Sequence, residues 1–185
     1  MATTTTLKDL TGDYLLDAGH TRIGFVARHA MVTKVRGQFD KFEGRAYLDG
    51  DDPTKSRAQL TIQAKSIRTG NQKRDDHLRS NDFLDMDNYP FIIFTSTDVE
   101  QADETNYKVT GDLSIRGVTK SVTVNFELAG AENDPWGHFR VGFEGKVTID
   151  RMDWGISWNT VLESGGLLVS ERVTLEFDIS AIRQS

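Results

Sequence analysis

The sequence predicts a single all-β domain in which about eight antiparallel strands close into a barrel. First, apolar and polar residues alternate with a period of two along most of the 185 residues, as strands with one apolar and one polar face require. Second, only one long internal segment has the polar composition of a loop and a short helix. Third, no Pro- or Ser-rich linker divides the chain, whose length corresponds to about one domain.

The alternating segments follow one another along the whole chain. Their apolar positions fall within the ranges 23–27, 35–39, 42–48, 58–64, 107–115, 122–128, 139–149 and 173–179. A further strand is expected over 91–99, where Phe91, Ile92, Ile93 and Phe94 are apolar on both parities. Its inward face is therefore left open.

The apolar parity changes between Val35 and Leu48, within a stretch too short for a long connection. The apolar positions up to Phe39 are odd, whereas those from Phe42 to Leu48 are even. One extra residue in a strand shifts every later side chain to the other face. The sequence therefore predicts a β-bulge near Lys41.

The connections carry their own signals. Residues 116–120 join two strongly alternating segments and predict a hairpin. The polar stretch 69–85 predicts a loop with a short helix over about 71–80, for which Asn71 is a suitable N-cap. The non-alternating stretch 157–168 contains two consecutive glycines and predicts a mobile flap.

Eight strands of this kind form either a two-sheet sandwich or one closed barrel, and closure is favoured because it removes exposed edges. The apolar faces mix aromatic with very small side chains, so the interior is either an unfilled lumen or a core in which small residues face large ones. The small ones are Ala27, Gly37, Ala58, Ala64, Gly111 and Gly145.

Composition excludes several classes of protein. There is no cysteine, which excludes disulfide scaffolds, thiolate metal sites and cysteine nucleophiles. The net charge of −6 argues against nucleic-acid binding. No apolar run approaches the length of a membrane span. The first residues lack the basic start and apolar segment of a secretory signal, so we expect a cytoplasmic protein.

Catalytic and metal-binding signals are weak. No nucleophile elbow or phosphate-binding loop is present, and the spacing of the four histidines does not predict a metal site. In the Asp76/His77 region, His77 could act as a general base paired with an aspartate, but a solvated helix with capping and salt-bridging side chains is the favoured explanation. Arg151 and Asp153, at the end of a strand, either tie a turn together or hold a ligand head group.

Four segments, taken together, resemble the YceI-like family of polyisoprenoid-binding proteins. They cover nearly the whole domain and occur in the family's order. The matching residues are Asp17, His20, Ile23, Phe25 and His29 with Gly37-Gln38-Phe39; Ser66 to Thr69 with Arg74-Asp75-Asp76-His77-Leu78, Asp82-Phe83 and Tyr89-Pro90; Tyr107 to Ile115 with Gly117-Val118-Thr119-Lys120; and Arg151-Met152-Asp153-Trp154-Gly155 with the last strand.

The resemblance implies an extended, lipocalin-like antiparallel barrel of eight strands with one short helix packed at its side. We expect a barrel domain over 13–183, preceded by a loosely ordered segment over 1–12. The implied function is non-enzymatic storage or transport of a long amphiphile, such as a polyisoprenoid, an isoprenoid quinone or a fatty-acid derivative. No cofactor or metal is expected besides that lipid, and a homodimer would be unsurprising.

These expectations select candidate site residues. The head group would meet the cations Arg151, His29 and Arg74. The apolar tail would lie against Phe25, Ala27, Phe39, Leu60, Ile62, Leu113, Val124, Phe126, Val141 and Phe143. The alternative function is a small hydrolase or isomerase that acts on a hydrophobic substrate through the Asp76/His77 region.

Overall fold

The computed structural model describes residues 10–160, 162 and 168–185. Within these ranges the chain forms eleven strands and one α-helix. They are β1 Gly12–Leu16, β2 Arg22–His29, β3 Thr33–Phe39, β4 Phe42–Leu48, β5 Arg57–Gln63, β6 Ile67–Arg68, α1 Gln72–Arg79, β7 Phe91–Gln101, β8 Asn106–Ile115, β9 Val118–Asn133, β10 Phe139–Asp150 and β11 Arg172–Arg183.

Eight of the strands close into an antiparallel barrel in the order β1, β4, β5, β7, β8, β9, β10 and β11. The ring closes because β11 also pairs with β1, with Leu15 opposite Ile182. The predicted lipocalin-like barrel with one helix is therefore confirmed, and the sandwich alternative does not apply. Closure leaves no open edge in the ring.

The remaining strands form a ribbon attached to β11. The first half of β11 pairs with β2 (Phe177 opposite Ile23), whereas its last residues pair with β1. The ribbon continues from β2 to β3 and then to the two-residue strand β6. β11 thus has two partners on the same side, and the junction between them lies at Ser180, whose carbonyl accepts the backbone N–H of Asp17.

The predicted bulge near Lys41 is wrong. β3 ends at Phe39 and belongs to the ribbon, whereas β4 begins at Phe42 and pairs with β1 and β5. The change of parity therefore marks the point where the chain leaves the ribbon and enters the barrel. Register shifts occur elsewhere, between Ser96 and Asp98 in β7 and next to Gly142 in β10.

The shift in β7 resolves the ambiguous segment 91–99. Ile92 is buried while Phe91 is half exposed, so the even positions point inward at the start of the strand. Beyond the shift an odd residue, Val99, is buried. A single strand thus presents both parities to the interior.

The predicted hairpin and helix form where the sequence places them. Arg116 and Gly117 adopt φ values of +52° and +74° between β8 and β9, as a type I′ turn requires. The Asn71 side chain accepts the Arg74 backbone N–H at 3.0 Å, which caps α1.

The start of the ordered domain and the predicted flap differ from the other predicted features. Ordered structure begins before residue 13, because Leu10 is buried and its carbonyl accepts the Tyr14 hydroxyl at 2.8 Å. The predicted flap over 157–168 lies in large part outside the described residues, since 161 and 163–167 are not described.

Candidate functional site: an apolar lumen in two parts

The barrel encloses two apolar cavities. The upper cavity, of about 180 Å³, lies among Tyr14, Val99, Tyr107, Val141 and Ala181. The lower cavity has a volume of about 160 Å³. Its walls include Phe25 of the ribbon, Ile62 and Leu113 of the barrel, Phe83 after α1 and Ile156 after β10. Each is of the size that holds one benzene in another protein, roughly 150 Å³.

Four side chains line both cavities and separate them. This partition consists of Leu60, Phe94, Val124 and Phe177. The Phe126 ring packs against Phe177 with a centroid distance of 5.8 Å and extends the partition on the upper side. The lumen is therefore hollow but divided.

Aromatic rings fill the space beside three of the small residues on the apolar faces. A Cβ added at Gly37 would collide with the Phe25 ring, and one added at Gly145 would lie 2.6 Å from the Phe126 ring. Gly111 is covered in the same way by Phe94, at 2.5 Å. The expectation that these glycines leave room for a ligand is thus wrong, because an aromatic ring of a neighbouring strand occupies the space beside each one.

All ten residues predicted for the tail line a cavity. Whether they contact a lipid stays a prediction. Phe126, Val141 and Phe143 line the upper cavity, Leu60 and Val124 line both, and Phe25, Ala27, Phe39, Ile62 and Leu113 line the lower one.

Sequence reasoning missed several lining residues. Tyr107 and Phe177 lie on the alternating parities and could have been chosen by the same rule. Phe94 was hidden by the double parity of its segment, and Phe83 lies outside any strand, where periodicity gives no signal. Burial raises the pKa of both the Tyr14 and the Tyr107 phenol, so both lining tyrosines are neutral at physiological pH.

Polar residues next to the upper cavity were also missed. They are Arg45, Asp49, Ser56, Arg57 and Gln59, in β4, β5 and the loop between them. Arg45 donates to the Gln59 side chain at 3.2 Å, and the Arg57 guanidinium lies 5.0 Å above the Tyr47 ring. Arg45 and Arg57 are exposed and alternate along their strands with Gly44, Ala46 and Ala58, which line the cavity, so both guanidiniums lie on the outer face of the barrel wall.

The three predicted head-group cations do not meet at one site. Arg151 lines the lower cavity but is buried, and it donates to the carbonyls of Ser170, Ile156 and Val169 at 2.9, 2.6 and 3.3 Å. These bonds join the turn after β10 to the segment before β11. Burial lowers the pKa of this guanidinium from its ordinary value.

The other two cations line neither cavity. His29 is exposed at the end of β2. Arg74 donates to the hydroxyl and carbonyl of Thr69 at 2.7 and 2.9 Å, beside the buried Asp75 that accepts the Thr69 N–H. The prediction that the three cations share one head-group site is thus wrong. Arg74 instead holds the loop before α1, and His29 lies on the outside of the ribbon.

His77 pairs with an aspartate, but with Asp82 and not with its neighbour Asp76. Asp76 instead accepts from Arg79 at 3.1 Å. His77 Nε2 lies 2.8 Å from the Asp82 carboxylate, and the imidazole packs edge-on against Trp158. A pair of this kind holds the segment after α1 against the helix.

Two further observations concern the described residues only. They contain no group of three or more His, Asp or Glu side chains arranged to hold a metal ion. Nor do they contain a helix with the length and apolarity needed to cross a bilayer; the one α-helix has eight residues.

The fold and the lumen together define a small lipocalin-like barrel with an apolar interior. Residues 14–181 match the YceI-like domain, and the chain belongs to that family. It is 36% identical over 177 residues to a UPF0312 protein of Pseudomonas paraeruginosa, covering 95% of this chain and 89% of that protein. A UPF0312 protein of Photorhabdus laumondii is 37% identical over 165 residues, covering 87% and 85%.

Solved structures share the fold. BcnA of Burkholderia cenocepacia superposes with a TM-score of 0.79 at 24% identity, covering 89% of this chain and 98% of that one. The YceI protein of Campylobacter jejuni gives 0.74 at 26% identity, covering 85% and 90%. A polyisoprenoid-binding domain of Saccharophagus degradans gives 0.71 at 17% identity, covering 92% and 98%.

Proposed function

We propose that the protein binds a long amphiphilic lipid non-covalently, with the tail in the barrel lumen and the head group left in contact with solvent. The observation that carries this proposal is the pair of apolar cavities inside a closed barrel. The ligand class is a polyisoprenoid, an isoprenoid quinone or a fatty-acid derivative. The Saccharophagus degradans neighbour, described as a polyisoprenoid-binding domain, supports this class.

The energetics favour such a ligand. Each methylene-sized group that leaves water contributes about 0.8 kcal/mol, and a tail that fills both cavities buries many of them. Association and ordering of the tail oppose binding by several kcal/mol. The gain grows with the length of the tail, so a long amphiphile binds where a single short group does not.

The role that follows is storage or transport, not catalysis. A carrier needs an apolar interior and a solvated head group, and it needs no reacting side chain. The alternative is a hydrolase or isomerase that acts on a hydrophobic substrate through the Asp76/His77 region, where His77 pairs with Asp82 and Asp76 pairs with Arg79. A cytoplasmic location and the absence of a cofactor remain part of the proposal.

Native mass spectrometry of freshly purified protein tests the proposal. We expect a co-purifying amphiphile, or a mass shift on addition of an isoprenoid or a quinone. Phe126→Arg places a charge beside the partition and should abolish that shift. Asn125→Arg is the matched control, since it places the same charge one residue away on the exposed face of β9. A wild-type protein that stays unliganded with every lipid offered would overturn the proposal.

A further inference from the structure

The hairpin between β2 and β3 carries an unusual distribution of charge. Residues 22–39 contain four basic residues, Arg22, Arg28, Lys34 and Arg36, and no acidic one, although the whole protein has a net charge of −6. Arg22 lies 3.9 Å from Glu176. The other three are exposed and form no ion pair with a described carboxylate.

These three cations share one face of the ribbon. Arg28 is directly opposite Lys34 in the register, and Arg36 follows two residues later on the same face. Like charges at opposed positions destabilise a strand pair. The carboxylates Glu176 and Asp178 of the adjacent strand lie at the other end of β2, opposite Gly24 and Arg22.

The tip of the same hairpin exposes apolar side chains. Met31 and Val32 have exposed fractions of 62% and 78%. The turn that displays them is strained, because Ala30 and Met31 both adopt left-handed backbone conformations (φ +52° and +60°) while the Val32 N–H bonds to the His29 carbonyl. Asn and Gly are the residues that suit such a turn.

The tip also adjoins the lower cavity. Ala27, near the end of β2, lines that cavity together with Val169. Val169 forms a bridge with His29, and the Ala30 N–H bonds to the Leu168 carbonyl. A partner that covers the tip would therefore lie beside the wall of the lower cavity.

We infer that this hairpin docks the protein on the surface of an anionic lipid bilayer. Met31 and Val32 enter the interfacial layer, while Arg28, Lys34 and Arg36 face the negative head groups. The positive charges of the cations complement an anionic surface. The apolar tip adds hydrophobic insertion, which a purely electrostatic contact lacks. The inference does not depend on the proposed function, since its readout is vesicle binding and no ligand in the lumen is needed.

Vesicle co-sedimentation tests the charged part. The protein should bind phosphatidylglycerol–phosphatidylcholine vesicles, bind pure phosphatidylcholine vesicles far less, and be released by salt. The double variant Lys34→Gln/Arg36→Gln should weaken binding by roughly fivefold for each cation removed. Lys73→Gln/Lys120→Gln removes the same charge from exposed positions on α1 and β9 and should bind as the wild type does.

A second pair of variants tests the apolar part. Val32→Ser should weaken binding, whereas Trp136→Ser should not, although the two side chains are equally exposed at 78%. Trp136 lies in a turn beside Asp134, which disfavours an anionic surface. Ala30→Asn/Met31→Gly should relax the turn and raise stability while it weakens vesicle binding, so a loss through misfolding is recognisable.

Two results would overturn the inference. One is equal binding to anionic and neutral vesicles, or equal binding by the hairpin variants and their controls. The other is a dimer in sedimentation velocity that Val32→Ser dissociates, since the tip would then be an interface between two copies.

Discussion

Arg151 shows how one buried cation organises an end of the barrel. Its guanidinium bonds to three carbonyls and lies 5.9 Å from the centroid of the Phe83 ring. Nearby, the Trp154 indole N–H donates to the Leu113 carbonyl at 2.9 Å. The turn after β10 is thereby tied both to the segment before β11 and to β8.

Replacing this arginine should lower the stability of the fold. Arg151→Met leaves three carbonyls without their donor, and we expect the free energy of unfolding to fall by about 2–4 kcal/mol. Urea denaturation followed by tryptophan fluorescence measures it. Arg172→Met, at an exposed position, should change stability by no more than about 0.5 kcal/mol. Equal stability of the two variants would show that the carbonyls find other donors.

Individual residues also show where sequence reasoning stops. The period of two predicted the inward positions Phe25, Leu113 and Phe143, because alternation is a local property of a strand. It did not reveal that Gly111 and Gly145 are covered by rings, because that depends on which strand lies alongside. The partners of Arg151 depend equally on contacts between residues distant in sequence.

At the scale of elements, the aromatic rings of the barrel wall divide the lumen. Phe94 from β7 lies over Gly111 of β8, and Phe126 from β9 lies over Gly145 of β10. Phe177 from β11 meets Phe126 above Gly145, the residue of β10 that pairs with both. Rings from β7, β9 and β11 thus contribute to one constriction, so a ligand that occupies both cavities has to move rings that are already packed.

Removing the Phe94 ring should therefore shift the binding preference of the lumen toward lipids with longer tails. With Phe94→Ala the two cavities merge, and binding of a long isoprenoid no longer requires an off-rotamer ring that costs about 0.5–1.5 kcal/mol. We expect the affinity ratio of geranylgeraniol to geraniol to rise roughly two- to tenfold in fluorescence titrations. Val109→Ala trims a residue that lines only the upper cavity and serves as the control. An unchanged ratio would mean that the partition already yields to long tails.

At the scale of the whole molecule, the closure of the barrel depends on a short seam. β1 and β11 share only three registered pairs, Tyr14–Arg183 to Leu16–Ala181. Beside this seam Arg140 donates to Asp17 at 2.5 Å, to Ser180 at 3.0 Å and to Asp134 at 3.3 Å. One guanidinium thus joins β10, β11 and the loop after β1.

This cluster should make stability depend on acid. The hydrogen bond from Arg140, with a smaller one from His20, lowers the pKa of the Asp17 carboxyl. A carboxyl whose pKa is lower in the folded state stabilises the fold above its unfolded pKa of about 3.9, and this stability is lost as pH falls through the folded value. Asp17→Asn should thus lower the unfolding free energy at pH 7 and flatten its decline below about pH 4.

Chemical denaturation across that pH range measures the effect. The control is Asp51→Asn, because Asp51 is exposed and its side chain has no hydrogen bond within the described structure. A variant at Asp17 with the acid dependence of the wild type would contradict the assignment.

The fork in β11 has a mechanical consequence. Phe177 sits on the arm that pairs with the ribbon, and Ser180, three residues on, anchors the arm that closes the ring. A guest that pushes this phenylalanine aside strains the same strand that seals the wall. We therefore expect a filled interior to weaken the pairing between β11 and β1.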